Sequence, residues 1–236
     1  MNGFGFDPLY LLLALPALLL VSYAQWRVQS TYNKYAEVPN GSGMSGFEVA
    51  KLLLNKEQLP TVGLEVTPGK LSDHYDPQGN ILRLSPDIGQ RASVAAMAVT
   101  AHEVGHALQD RDNYSWMKVR TGVVPLLKIG STLGYLMFIA GLMVGSTWLA
   151  ILGVLAFSGG AFFSLVTLPV ELNASTRAMA MLESNGLLRN EEERKQANDM
   201  LRAAALTYVA GAAQALSSLL YFLFMALGAG SRRRSH

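Results

Sequence analysis

The sequence predicts a mostly α-helical integral membrane protein: about four transmembrane helices plus a small α+β domain with a short sheet. Three observations carry this. Charged residues make up 15% of the 236-residue chain, against roughly a quarter in ordinary soluble domains. The deficit is concentrated, because residues 8–26, 129–170 and 203–230 contain no Asp, Glu, Lys or Arg. The segments between these runs are rich in capping and turn signals instead. A membrane-spanning helix needs about 20 apolar residues, so the middle run is long enough for two spans. The expected spans are about 8–26, 123–145, 147–169 and 204–229.

Residues 1–26 read as an N-terminal transmembrane anchor. Val21-Ser22-Tyr23-Ala24 loosely resembles a signal-peptide cleavage site, but no basic residue precedes the apolar run and the run is long enough to span. Residues 27–122 read as the first part of the polar domain. Ser45-Gly46-Phe47-Glu48 has the S-x-x-E spacing of a capping box and opens a helix through Lys56. Leu64–Thr67 has the character of a short strand. Leu71–Tyr75 and Ile81–Leu84 form a hairpin around Asp76-Pro77-Gln78-Gly79-Asn80. Ser85-Pro86-Asp87 starts a helix, and Ser93–Asp110, rich in Ala, Val and Met and free of Pro, is one further helix.

That last helix carries His102-Glu103-Val104-Gly105-His106. Residues four apart share a helical face, so the two imidazoles can be offered to one metal ion. A metal held there acidifies water, and Glu103 lies within reach of its proton without being a ligand. Two core histidines on a buried helix are the plain alternative. Against it, the chain has only four histidines, and an ionisable triplet is costly in an apolar helix unless paired or metal-bound. A catalytic zinc needs a third protein ligand, and the candidates are Glu171 and His74. Glu171 ends the uncharged run 129–170, where a carboxylate needs a partner. His74 lies in the polar cluster Ser72-Asp73-His74-Tyr75-Asp76 and suits a substrate or transition-state role as well as a structural one.

Residues 123–169 read as a transmembrane hairpin turning at Gly145-Ser146-Thr147. A hairpin returns the chain to the side it left, so residues 170–203, the second part of the polar domain, share a compartment with 27–122. This parity lets Glu171 meet His102. Glu171–Arg177 is helical, Asn185-Gly186 is a break, and Asn190 caps a solvated helix that runs into the last span. Residues 204–236 are that span and a basic tail, Arg232–Arg234. Gly130 with Gly134, and Gly141 with Gly145, have the small-xxx-small spacing of close helix packing, within the chain or in a homo-oligomer or with a membrane protein partner. The chain has no cysteine, so neither a disulfide nor a thiolate ligand is available, and a net charge of +2 gives no case for nucleic acid.

Four stretches taken together, HEVGHALQD, LPVELNASTRA, LSDHYDP…ILRLSP and YAQWRVQSTYNKY, resemble the YugP-type bacterial membrane zinc metallopeptidases, a family described as neutral zinc peptidases. The family is similar in logic to HtpX-like and CAAX-type membrane proteases, which use H-E-x-x-H with a downstream E-x-x-x-D. The resemblance implies a zincin-like, gluzincin-like domain with one Zn2+ per chain, His102, His106 and Glu171 as ligands and Glu103 as general base. Ser175 stands where the pattern has Asp, so Ser175 or Asn173 would orient a ligand histidine. In zincins an edge strand receives an extended peptide, and the resemblance assigns that role to Ile81, Leu82, Arg83 and Leu84. His74, Tyr75 or Arg177 would stabilise the oxyanion, Arg177 being equally suited to pairing with a carboxylate.

The expected substrate is a membrane or membrane-proximal polypeptide, because the site residues fall near span ends. Arg27, Lys34, Lys118, Arg120, Lys128 and Arg202 near those ends favour a cytoplasmic domain in a multi-pass cell-membrane protein, with Arg232–Arg234 pulling the other way. The competing readings are a non-catalytic metal-binding membrane adaptor for another protease or its clients, and a hydrolase of another amide such as that of a cell wall.

Overall fold

The computed structural model describes residues 8–231, and their side chains except those of 125, 126, 128, 129, 131 and 229–231. The Arg232–Arg234 tail lies outside the described residues. The chain forms two compact units. One takes in the chain up to Tyr23, Lys118–Leu168 and the chain from Tyr208 on; the other is Ala24–Met117 with Pro169–Thr207.

Long helices dominate: α1 (Pro8–Ala36), α5 (Ser115–Val144), α6 (Thr147–Phe157), α7 (Gly159–Ser184) and α8 (Glu191–Ser231). Among the described residues three stretches are long and apolar enough to cross a membrane, Pro8–Ala36, Thr147–Ser184 and Glu191–Gly228. Where a fourth span was expected, α5 offers the shorter apolar stretch Thr132–Val144. The α5–α6 turn follows from its sequence. Gly145 takes the left-handed conformation, φ +67°, and the Ser146 hydroxyl accepts from Leu149 N to cap α6. A Cβ on Gly134 would lie 2.6 Å from Phe157 N and one on Gly130 3.1 Å from Ala156 O. These small residues sit where α5 and α6 meet backbone to backbone.

The second unit contains α2 (Gly46–Lys56), β1 (Gly63–Val66), β2 (His74–Asp76), β3 (Ile81–Leu84), α3 (Pro86–Gln90) and α4 (Val94–Arg111), with parts of α1, α7 and α8. Both arms of the capping box form at α2: Ser45 accepts from Glu48 N, and Glu48 accepts from Ser45 N at 2.7 Å. Ser93 caps α4, and Asn190 caps α8 by accepting from Glu193 N. The core is built on α4. Its Ala95–Ala98, Ala101 and Val104 are inaccessible, and Val49, Leu53, Leu82, Leu84 and Ile88 pack with them. A run of alanines lets the surrounding elements approach this helix closely.

The sheet order is β1-β3-β2, with β1 parallel and β2 antiparallel to β3. This corrects one expectation. Ile81–Leu84 is the central strand, not an edge, so both of its hydrogen-bonding sides are filled and no peptide can be added to it. The physical reason is burial: Leu82 and Leu84 are fully inaccessible, whereas the second half of β1 is exposed. The central position also accounts for Arg83. It bridges Glu65 on one neighbouring strand at 3.1 Å and Asp76 on the other at 2.8 Å. The open edges of this sheet are β1 and β2.

Candidate metal centre

α4 places His102, His106 and Gln109 on one face, and α7 presents Glu171 to them. The approach of the two helices depends on Gly105. A Cβ there would lie 2.7 Å from Ala174 O, so any other residue would push α7 away from the histidines. The Nε2 atoms of His102 and His106 lie 3.2 and 3.4 Å from Glu171 Oε2. One ligand atom from each of the three residues lies within 4.8 Å of the others, and the group could hold a metal ion. Zinc ligated at about 2.0–2.1 Å in tetrahedral geometry sets its ligand atoms about 3.3 Å apart. The two imidazole–carboxylate spacings match that figure. Glu171 is 1% exposed, a position that a carboxylate occupies only when paired, hydrogen-bonded or coordinating.

The partners of the outer ring nitrogens suit a metal as well. Gln109, which is fully buried, donates from Nε2 to Val170 O at 2.7 Å and to Asn173 Oδ1 at 2.9 Å. A backbone carbonyl can only accept, so the orientation of the amide is fixed and Gln109 Oε1 faces His106 Nδ1 at 3.0 Å. His106 therefore carries a proton on Nδ1, which leaves Nε2, the nitrogen facing Glu171, as the one that would ligate a metal. His102 Nδ1 meets the Ser175 hydroxyl at 3.2 Å. Ser175 thus reaches His102, while Asn173 reaches His106 only through Gln109. Gln109 is the residue that sequence reasoning missed. The signal was present, a lone amide three residues after His106 on an apolar helix, but its partner on α7 is 61 residues away.

Glu103 is 8% exposed and accepts from Tyr75 N at 3.0 Å. Burial raises its pKa above the ordinary carboxylate value, against a smaller pull from the two histidines. β2 thus lies beside the general-base candidate through its backbone. The Tyr75 hydroxyl is engaged elsewhere, 2.9 Å from Asp110 Oδ2 and 3.0 Å from Asn80 Oδ1. Burial and Asp110 raise its pKa, which keeps it protonated. His74 is exposed, with Nδ1 2.8 Å from Ser72 O, and lies outside the ligand group. Arg177 donates to Asn173 Oδ1 at 2.9 Å and pairs with Asp112 at 2.5 Å, tying the end of α4 to α7.

Comparison with known proteins agrees with this geometry. Residues 10–227 match the model of a family described as "Putative neutral zinc metallopeptidase". A protein of Bacillus subtilis (strain 168) described as "Putative membrane protease YugP" is 42% identical over 219 residues, covering 93% of this chain and 97% of that one. No solved structure matches. A match to the family model over nearly the whole chain settles membership: the chain belongs to the family described as "Putative neutral zinc metallopeptidase", and its buried His-His-Glu group is consistent with that description.

Proposed function

We propose that the chain is a membrane-bound, gluzincin-like endopeptidase with one zinc ion per chain, cleaving membrane or membrane-proximal polypeptides. The observation that carries this reading is the spacing of His102, His106 and Glu171 with Glu103 buried beside them. Three protein ligands support a catalytic rather than a structural ion, since structural zinc takes four. Zinc bound there supplies Lewis acidity toward a carbonyl and toward water. The rest is the work of side chains. His106 and His102 hold their Nε2 lone pairs inward because Gln109 and Ser175 engage their Nδ1 atoms. Glu103 takes a proton from water on its carboxylate and passes it to the departing amine. The extended substrate would lie alongside β2, the strand whose Tyr75 N already donates to Glu103. His74 on the same strand supplies a donor toward the oxyanion, with Arg177 holding α4 and α7 in register.

Glu171 directly follows the uncharged run 129–170, which supports a substrate at or near the bilayer. Basic residues near the span ends support four spans with the domain on the cytoplasmic side. The chain has no cysteine, so a single Lys56→Cys, at the exposed last residue of α2, reports sidedness directly. An impermeant maleimide should label it only after the cells are opened, and labelling of intact cells would reverse the orientation. The activity test compares wild type with Glu103→Gln in detergent, for bound zinc and for cleavage of casein. Both should retain about one zinc, and the variant should cut roughly 10²–10⁴-fold more slowly. Equal rates would remove Glu103 as the base, and absence of bound zinc from both proteins would remove the metal centre.

A further inference from the structure

Away from the metal centre, α1 and α8 line a groove of about 450 Å³. Four cations face it, Arg27, Lys34, Lys195 and Arg202, against two carboxylates, Glu192 and Asp199. The carboxylates do not neutralise the groove. Asp199 is taken by Arg27 at 2.5 Å and by the Tyr35 hydroxyl at 3.0 Å. Glu192 accepts from Gln196 on its own helix at 3.0 Å. Lys34 lies over the Tyr35 ring, 4.9 Å from its centre. Among the described residues Lys195 and Arg202 make no ion pair or side-chain hydrogen bond. Both are exposed. Lys195 and Arg202 are seven residues apart, two turns along the same side of α8, and Lys34 on the facing helix adds to the positive potential.

The position of the groove along its helices says what the anion is. Arg27 is the first charge after the uncharged run of α1, and Arg202 is the last before that of α8. Both helices therefore pass from polar to apolar at the groove. Trp26, beside Arg27, is 62% exposed, and exposed Trp flanking an apolar run marks the headgroup level of a bilayer. A phosphate at that level, next to long side chains that snorkel toward it, belongs to a lipid.

We propose that this groove binds the headgroup phosphate of an anionic phospholipid, through Lys195 and Arg202 on α8 and Lys34 on α1, with Arg27 held in place by Asp199. The lipid would join α1 to α8 and supply the negative charge that the protein leaves out. Binding is independent of the peptidase reading.

The test uses the full chain in a neutral detergent. Native mass spectrometry follows titration with phosphatidylglycerol, with phosphatidylcholine and with inorganic phosphate as a competitor. Wild type should bind phosphatidylglycerol in preference to phosphatidylcholine, and millimolar phosphate should not displace it. Lys195→Gln with Arg202→Gln should weaken phosphatidylglycerol roughly 30-fold, each cation near an anionic surface contributing about fivefold. The charge-preserving pair Lys195→Arg with Arg202→Lys should keep it, which separates loss of charge from loss of fold. Equal binding of both lipids, or an unchanged affinity in the Gln pair, would overturn the proposal. Displacement by phosphate alone would make the groove a site for free anions and overturn its assignment to lipid.

Discussion

At the candidate metal centre both outer imidazole nitrogens have a partner from the protein. His106 leans on Gln109 and His102 on Ser175, and Gln109 is itself fixed by Val170 O. In the groove between α1 and α8, Lys195 and Arg202 have no such partner among the described residues. The two sites lie in the same unit and differ in solvent. A buried polar group must be satisfied internally, because leaving it unmade costs about 1–3 kcal/mol. An exposed cation has water until a ligand replaces it. Preorganisation is therefore written into the first site and left to the ligand in the second.

Removing a ligand should break this contrast most severely. Glu171→Ala takes the carboxylate from between two imidazoles and should lower zinc affinity by at least about a thousandfold, with two-ligand sites retaining little metal at pH 7. Metal content after dialysis against a graded chelator series measures it. An Ala variant that keeps full zinc would transfer the third-ligand role to another residue.

The next effect is smaller and discriminates between the two histidines. Gln109→Leu keeps the volume and removes the acceptor for His106 Nδ1, and should weaken zinc about 10–100-fold. Ser175→Ala removes one exchangeable hydroxyl from the less buried histidine and should fall at or below the bottom of that range. The same chelator competition orders the two, and Ser175→Ala exceeding Gln109→Leu would show that His102 is the more dependent ligand. The smallest effect belongs to the groove. Without lipid, Lys195→Gln should move the stability of the detergent-solubilised protein by no more than about 0.5 kcal/mol, as for other surface substitutions. A larger loss in thermal melting would mean that the cation already has a structural partner.

Much of the local structure was legible because it is decided by neighbours in sequence. The Ser45–Glu48 capping box, the Asn190 cap, the Gly145 turn and the Gly186 break all form where their residues stand. His102, Glu103 and His106 fell on one helix because four-residue spacing is a property of the helix alone. The strand at 64–67 shifted only to Gly63–Val66. The membership in the metallopeptidase family was also legible, from four separated stretches rather than from the five-letter motif.

What failed or was missed depended on partners distant in the chain. The resemblance to zincins makes Ile81–Leu84 an edge strand, and nothing local announces that β1 pairs on its other side. Burial of Leu82 and Leu84 decided that, by drawing β3 into the middle of the sheet. Gln109 reads as a polar residue on an apolar helix until Val170 and Asn173 arrive from α7. Arg177 could have served Glu171 or another carboxylate, and the fold gave it Asp112. The sequence by itself determined which atoms can bind a metal, take a proton or end a helix, because those are properties of side chains and their nearest neighbours. Only the tertiary structure decided which strand lies inside, which nitrogen carries the proton and which cations are left for a ligand, because each of these turns on which groups, tens of residues apart, are buried against one another.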